Sequence, residues 1–251
     1  MTEANDLAVI AGVLFLAGVV KGVVGLGLPT VSLALLTPLL GLPAAMAAML
    51  LPSFLTNLLQ AVAGGGLIDQ LRRFWPFLGA VAIGTAATSG AVTWVATELL
   101  VYVLGASIAL YAALGLLAPP WPRPGRHERW LGPVCGGVTG LLTGMTGSFV
   151  IPSVPYLQAL GLDRDRLVQM MGATFTVATL ALALGLGGHG LIGGGAALST
   201  LAGVVPAFLG MALGRRLRGR LSDRDFRRAL FTALLLLGVW MIWQEASSVA
   251  P

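Results

Sequence analysis

One lysine, a set of glycines and a scatter of hydroxyl and amide side chains carry the chemistry available to this sequence. The stretch Gly18-Val-Val-Lys21-Gly22-Val-Val-Gly25-Leu-Gly27-Leu-Pro29-Thr30 interrupts an apolar segment, ends it with proline and places one cation inside it. A second stretch, Gly140-Leu-Leu-Thr143-Gly144-Met-Thr146-Gly147-Ser148-Phe-Val-Ile-Pro152-Ser153, repeats three glycines at one constant offset and the proline within one residue. Such residues suit an anion stripped of its water. Helices restarting after Pro29 and Pro152 would offer unpaired N–H groups and partial positive charge, with Thr30 and Ser153 in their first turns. Glycine lets backbone approach a ligand closely. Ser53, Thr56 and Asn57 share one helical face, and Thr174 shares another with Gln169. The candidate substrate-binding residues are therefore Lys21, Gly25, Gly27, Thr30, Ser53, Thr56, Asn57, Thr143, Thr146, Gly147, Ser148, Ser153 and Thr174.

Each has a plainer reading beside the functional one. Lys21 either faces an anion path or snorkels to an interface. Polar helix residues also serve as helix–helix hydrogen bonds, and glycines four apart as packing seams.

The elements that must position these residues belong in a bilayer. Of 251 residues, 57% are hydrophobic and 10% charged, against a charged share of about 25% in soluble domains. Apolar runs near 20 residues recur from end to end, enough to cross hydrocarbon. The net charge of +5 comes from arginines in short loops between apolar runs, so it signals orientation and no nucleic acid partner. The N-terminus lacks the basic region of a cleaved signal peptide and is read as a first membrane segment. The lone Cys135 excludes an internal disulfide, and two loop histidines make no metal site. No cofactor is called for.

Hydrophobicity and punctuation give a first segment over residues 7–28 and a short piece over 30–40, then runs over 44–63, 76–96 and 99–118. A Pro/Arg linker over 119–130 separates the halves. The order then repeats: 131–150, a short piece over 152–160, 166–186 with Asp163 as N-cap, 196–213, and a last span ending near Gln244. Gly41, Thr56, Leu67 and Gly84 find counterparts in Gly161, Thr176, Leu191 and Gly210, with Ile68 matched by Ile192. Basic loops fall on opposite sides of equivalent spans: Arg72 and Arg73 precede the fourth element of the first half, whereas Arg215 to Arg228 follow its counterpart. The expected fold is an all-α polytopic membrane protein. It forms one transmembrane domain of two inverted repeats, 7–118 and 131–246, each with a Gly/Pro-broken first helix and a half-length helix, about eight full spans in all. Both termini then face outward, and every Asp and Glu is expected in a loop or terminus.

In the order and extent of these breaks, the Gly161-Leu162 and polar-helix pattern, and the Gly210 to Arg228 segment, the chain resembles the sulfite exporter TauE/SafE family of membrane transporters. Ser148-Phe149 departs from the more glycine-rich second break such proteins often show. The resemblance implies a multi-pass inner-membrane transporter of a small sulfur-containing anion, sulfite or an organosulfonate. A proton or sodium ion is the candidate coupling ion; oligomeric state is left open. Paired interruptions in two halves are the sequence pointer to a transporter's binding site, here alternating access at a site formed by the two broken helices. Two other classes stand as alternatives: an intramembrane hydrolase using Ser148 with a histidine base, and an ion channel.

Overall fold

The computed structural model describes residues 3–63, 65–117, 121–191, 194–218, 220 and 222–249. Among them every regular element is helical. The order is α1 (Glu3–Val24), α2 (Leu28–Leu40), α3 (Leu42–Val62), α4 (Leu67–Thr88), α5 (Thr97–Leu117), α6 (Glu128–Thr146), α7 (Ser153–Ala159), α8 (Arg164–Gly188), α9 (Gly194–Leu217) and α10 (Asp223–Val249). Short 3-10 turns follow α4 and precede α6. Six described helices are long and apolar enough to cross a bilayer: α1, α3, α4, α5, α8 and α10. With 19 and 24 residues, α6 and α9 are comparably long. The α2 helix, 13 residues or about 20 Å at 1.5 Å per residue, falls short of the hydrocarbon. At seven residues α7 falls further short.

The first apolar segment ends at Val24 and not at residue 28, because Gly25 and Gly27 take left-handed backbone (φ 87° and 106°) that no helix continues through. Pro29 then sits in the first turn of α2, where its missing N–H costs nothing. Asp163 caps α8 as expected, accepting the Arg166 N–H at 2.9 Å. Other helix bounds shift: α4 and α6 start earlier and also end earlier, at Thr88 and Thr146 against the expected 96 and 150, while α8, α9 and α10 run past their expected ends. Arg72 and Arg73 lie inside α4, Pro76 included, and Arg215, Arg216 and Arg224 to Arg228 lie in α9 and α10. Carboxylates follow: Asp69, Glu98, Glu128 and Asp165 occupy first helical turns, and Asp6 and Glu245 lie within α1 and α10. Acids in first turns complement the positive helix end, so charge extends these helices into the interface instead of stopping them. Pro119 and Pro120 of the linker, with Gly64 and Ile192, lie outside the described residues.

The chain packs as two compact units, Met1–Pro52, Val95–Ala118 and Leu191–Pro251 in the first, Ser53–Trp94 and Pro119–Gly190 in the second. In the first unit, α1 runs parallel to α9 along a seam of small residues. Gly18 abuts the Ala207 carbonyl, Gly22 abuts Met211, Gly214 and Arg215, and Gly210 abuts Phe15 and Val19. In the same unit α5 and α10 run antiparallel, Gly105 meeting Gly238 and Gly115 meeting Phe231. In the second unit, α4 runs parallel to α6 along the same kind of seam. Gly140 abuts the Val81 carbonyl, Gly144 abuts Thr85, Thr88 and Ser89, and Gly84 abuts Gly137 and Leu141. A Cβ at Gly22 or at Gly144 would each come within 2.8 Å of backbone or less. Without lipid–water contrast to drive helices together, such close backbone approach is what holds them. There α8 runs antiparallel to the end of α3, where Gly172 faces Ala61 and the Gln60 amide donates to the Val168 carbonyl at 2.8 Å.

Candidate functional site

Break one lies in the first unit. The Gly25 N–H donates to the Lys21 carbonyl at 2.7 Å, closing α1 one turn after the lysine. Lys21 is 3% exposed, so its stem and amine are covered by protein. The chain then turns through Gly27, whose added Cβ would lie 3.4 Å from Val20. The first bond of α2 is the Val31 N–H to the Gly27 carbonyl at 2.9 Å. Gly27 has no side chain to cap α2, which leaves the Leu28 and Thr30 amides ahead of that first bond. Thr30 is buried in the first turn.

Break two lies in the second unit and is closed by hydroxyls. Gly147, left-handed at φ 75°, donates its N–H to the Thr143 carbonyl at 2.8 Å and ends α6. The Thr143 hydroxyl donates to the Thr139 carbonyl at 2.7 Å and lies 3.3 Å from the Ser148 carbonyl. The Thr146 hydroxyl donates to the Leu142 carbonyl at 2.7 Å while its oxygen accepts the Ser148 N–H at 3.2 Å. A cis bond joins Ile151 to Pro152, and the Ser153 hydroxyl in α7 donates to the Phe149 carbonyl. Phe149 stacks on Phe175 of α8, centroids 4.7 Å apart, one residue from Thr174. The Thr174 hydroxyl is likewise bound to its own helix, at the Met170 carbonyl, 2.8 Å. The exception is Ser148: its hydroxyl is buried and makes no hydrogen bond among the described residues.

Ser53, Thr56 and Asn57 are fully buried on α3, and the Thr56 hydroxyl donates to the Ser53 carbonyl at 3.2 Å. The Asn57 carbonyl faces Gly172 of α8. The structure thus gathers Lys21, Gly25, Gly27 and Thr30 at one break, and Thr143, Thr146, Gly147, Ser148 and Ser153 at the other. Beside Gln169, already noted on the face of Thr174, sequence reasoning passed over other buried polar groups in the second unit. Gln70 donates from its amide to Gln169, and Gln169 reaches the Ala63 carbonyl at 3.4 Å. Thr85 is buried with no hydroxyl partner among the described residues. A glutamine or threonine inside an apolar span was the available signal. Among the described residues no group of three or more His, Cys, Asp or Glu could hold a metal ion.

Long apolar helices, two of the chain's helices too short to span, and interruptions lined by buried polar groups define a multi-pass helical membrane protein. The family model for sulfite exporter TauE/SafE matches residues 10–241, and the chain belongs to that family, whose members are membrane transporters of sulfur-containing anions and not enzymes. No match is found among curated proteins or among solved structures.

Proposed function

We infer that this chain is a secondary transporter carrying a small anion, sulfite or an organosulfonate, across the inner membrane, with its two breaks handling the anion. The observation that carries this reading is break one, where a buried lysine stands one turn before the end of α1 and the next helix, α2, starts seven residues after it without a side-chain cap. Ionisable groups inside membrane helices are costly and mark pathways, and a helix start without a cap presents N–H donors and positive potential. Ser148 adds a buried hydroxyl with no partner among the described residues in the other unit. At seven residues α7 contributes little dipole, so the helix-end chemistry falls to α2.

Inverted repeats are supported by the packing within each unit. The α1–α9 and α4–α6 seams pair first with fourth elements in both senses and in one register, and the two fifth elements pack antiparallel. Glycines at matched positions share a positive φ: Gly25 with Gly147, Gly41 with Gly161, Gly66 with Gly190. Eight spans follow if α6 and α9 also cross.

The test is flux in proteoliposomes without ATP, under an imposed proton or sodium gradient, against sulfite, organosulfonates, sulfate and carboxylates. Gradient-driven movement of sulfite or a sulfonate is expected. Gradient-independent conductance would replace the transporter with a channel. Labelling of Arg126→Cys from outside intact cells, in a Cys135→Ser background, would sink the orientation.

A further inference from the structure

In the second unit α4, α6 and α8 run parallel, which brings their starts to one end: Phe77 faces Gly136, Gln70 meets Gln169, and Ser89 meets Gly185. At that end lies a cavity of about 770 Å³. Its rim carries Arg73, Arg126 and Arg129 against one carboxylate, Glu128. Arg73 takes that carboxylate in a forked pair at 2.8–3.1 Å. Arg126 and Arg129 are exposed and have no ion pair among the described residues. The wall is aromatic: Phe77 and Tyr156 rings lie 5.3 Å apart. Tyr156 itself is 3% exposed, and its hydroxyl reaches over Gly132, where an added Cβ would stand 2.9 Å away. That hydroxyl makes no hydrogen bond among the described residues, and the cavity is bounded by both residues.

Two uncompensated guanidiniums above an aromatic wall ask for a ligand with an oxyanion at one end and an apolar body behind it. A bare tetrahedral anion, a few water volumes of about 30 Å³ each, would leave most of this space empty. Trp75 lines the cavity with 69% of its surface exposed, and Trp130 follows Arg129 with 55% exposed. Exposed tryptophans beside arginines belong at the membrane–water boundary, where basic pockets between helices take anionic lipid headgroups. We propose that this cavity binds the phosphodiester headgroup of an anionic phospholipid, with Arg126 and Arg129 on the phosphate oxygens, the Tyr156 hydroxyl donating from below, and the glycerol and upper acyl carbons along Phe77. Because α7 supplies Tyr156, the bound lipid would brace the short helix behind break two.

Native mass spectrometry of the purified, delipidated protein tests this with phosphatidylglycerol, phosphatidylcholine and inorganic phosphate as separate probes. Wild type should retain phosphatidylglycerol over phosphatidylcholine. The double variant Arg126→Gln/Arg129→Gln should lose about tenfold or more of that retention, the factor a charge-assisted hydrogen bond carries. Both arginines are exposed, so the fold should stand; Arg126→Lys/Arg129→Lys should recover part of the binding, and Tyr156→Phe should lose less than the double variant. Equal retention of the two lipids, or undiminished phosphatidylglycerol in the double variant, overturns the site. Inorganic phosphate displacing the lipid in an arginine-dependent way would make it a free-anion vestibule and overturn the lipid as occupant.

Discussion

Break one and break two close the same kind of turn with different chemistry. Both end a helix on a left-handed glycine whose N–H returns to the residue four back, Lys21 in one and Thr143 in the other. The first then has a cation, a second glycine and a 13-residue helix with an uncapped start. The second has three hydroxyls folded onto carbonyls, a cis proline and a helix of seven residues. The first break has a buried lysine and a helix start without a side-chain cap; the second has hydroxyls that donate to its own carbonyls. Hydrocarbon offers no water to freed backbone groups, so a break without charge must close itself. The comparison teaches that a shared scaffold need not mean a shared role: the first break carries a buried lysine, and the second carries hydroxyls bonded to carbonyls plus one, on Ser148, with no partner among the described residues.

The scaffold should be the most sensitive part. Gly22→Val and Gly144→Val each drive a side chain into backbone of the partner helix, and each should cost about 1–3 kcal/mol or more of stability. Gly12→Val and Gly137→Val, where an added Cβ meets nothing within 4 Å, should stay within about 0.5 kcal/mol. Thermal unfolding in detergent reads all four. A tolerated Gly22→Val beside a ruinous Gly144→Val would break the equivalence of the two seams.

Next comes charge. Lys21→Met should weaken anion binding about tenfold to hundredfold, the worth of one charge-assisted hydrogen bond. Arg should rescue in part, because its planar fork replaces a compact ammonium. Calorimetry on purified variants separates weak binding from poor insertion. Unchanged affinity in Lys21→Met would erase the contrast between the breaks and leave the α2 amides to hold the anion.

The seams and breaks were legible in the sequence for one physical reason. Glycine spacing records where backbone must approach backbone, and a Gly/Pro interruption in an apolar run has few structural meanings. The breaks at Gly25 and Gly147 and the short α2 and α7 could be read that way, and the Asp163 cap from its place just ahead of an apolar run. Helix ends could not, because Arg72, Arg73 and the acids of first turns look like loop in composition yet stabilise helix ends at an interface. Hydrogen-bond direction was also invisible. Thr143, Ser153 and Thr174 read as donors for a ligand, whereas each bonds a carbonyl of the preceding turn, the habit of hydroxyls in apolar helices. The pairing of α1 with α9 and of α4 with α6 is a long-range property, and no local pattern announced it.

Backbone strain offers a finer comparison. Gly27 stands at φ 106° and Gly147 at φ 75°. Alanine at either should cost about 1–2 kcal/mol, more at Gly27, which lies farther from the left-handed basin that other residues visit. Paired unfolding curves would show it. Equal and negligible costs would mean that both turns relax, and that glycine is present for ligand approach alone.

The smallest effect concerns hydroxyls within the second unit. Ser148→Ala removes a buried hydroxyl with no partner among the described residues. Lost contact to an anion should cost about twofold to tenfold in affinity, the range of one hydrogen bond at 0.5–1.5 kcal/mol. Thr174→Val removes a hydroxyl already bonded to the Met170 carbonyl and should leave affinity within about twofold, because that proton is spent on backbone. The two variants keep side-chain volume close to native, so insertion and folding serve as internal controls for each other. Should Thr174→Val lose more affinity than Ser148→Ala, the hydroxyls must swing from carbonyl to anion on binding. Break two would then be a dormant donor array that the substrate itself unlocks, and the division of labour between the breaks would depend on occupancy.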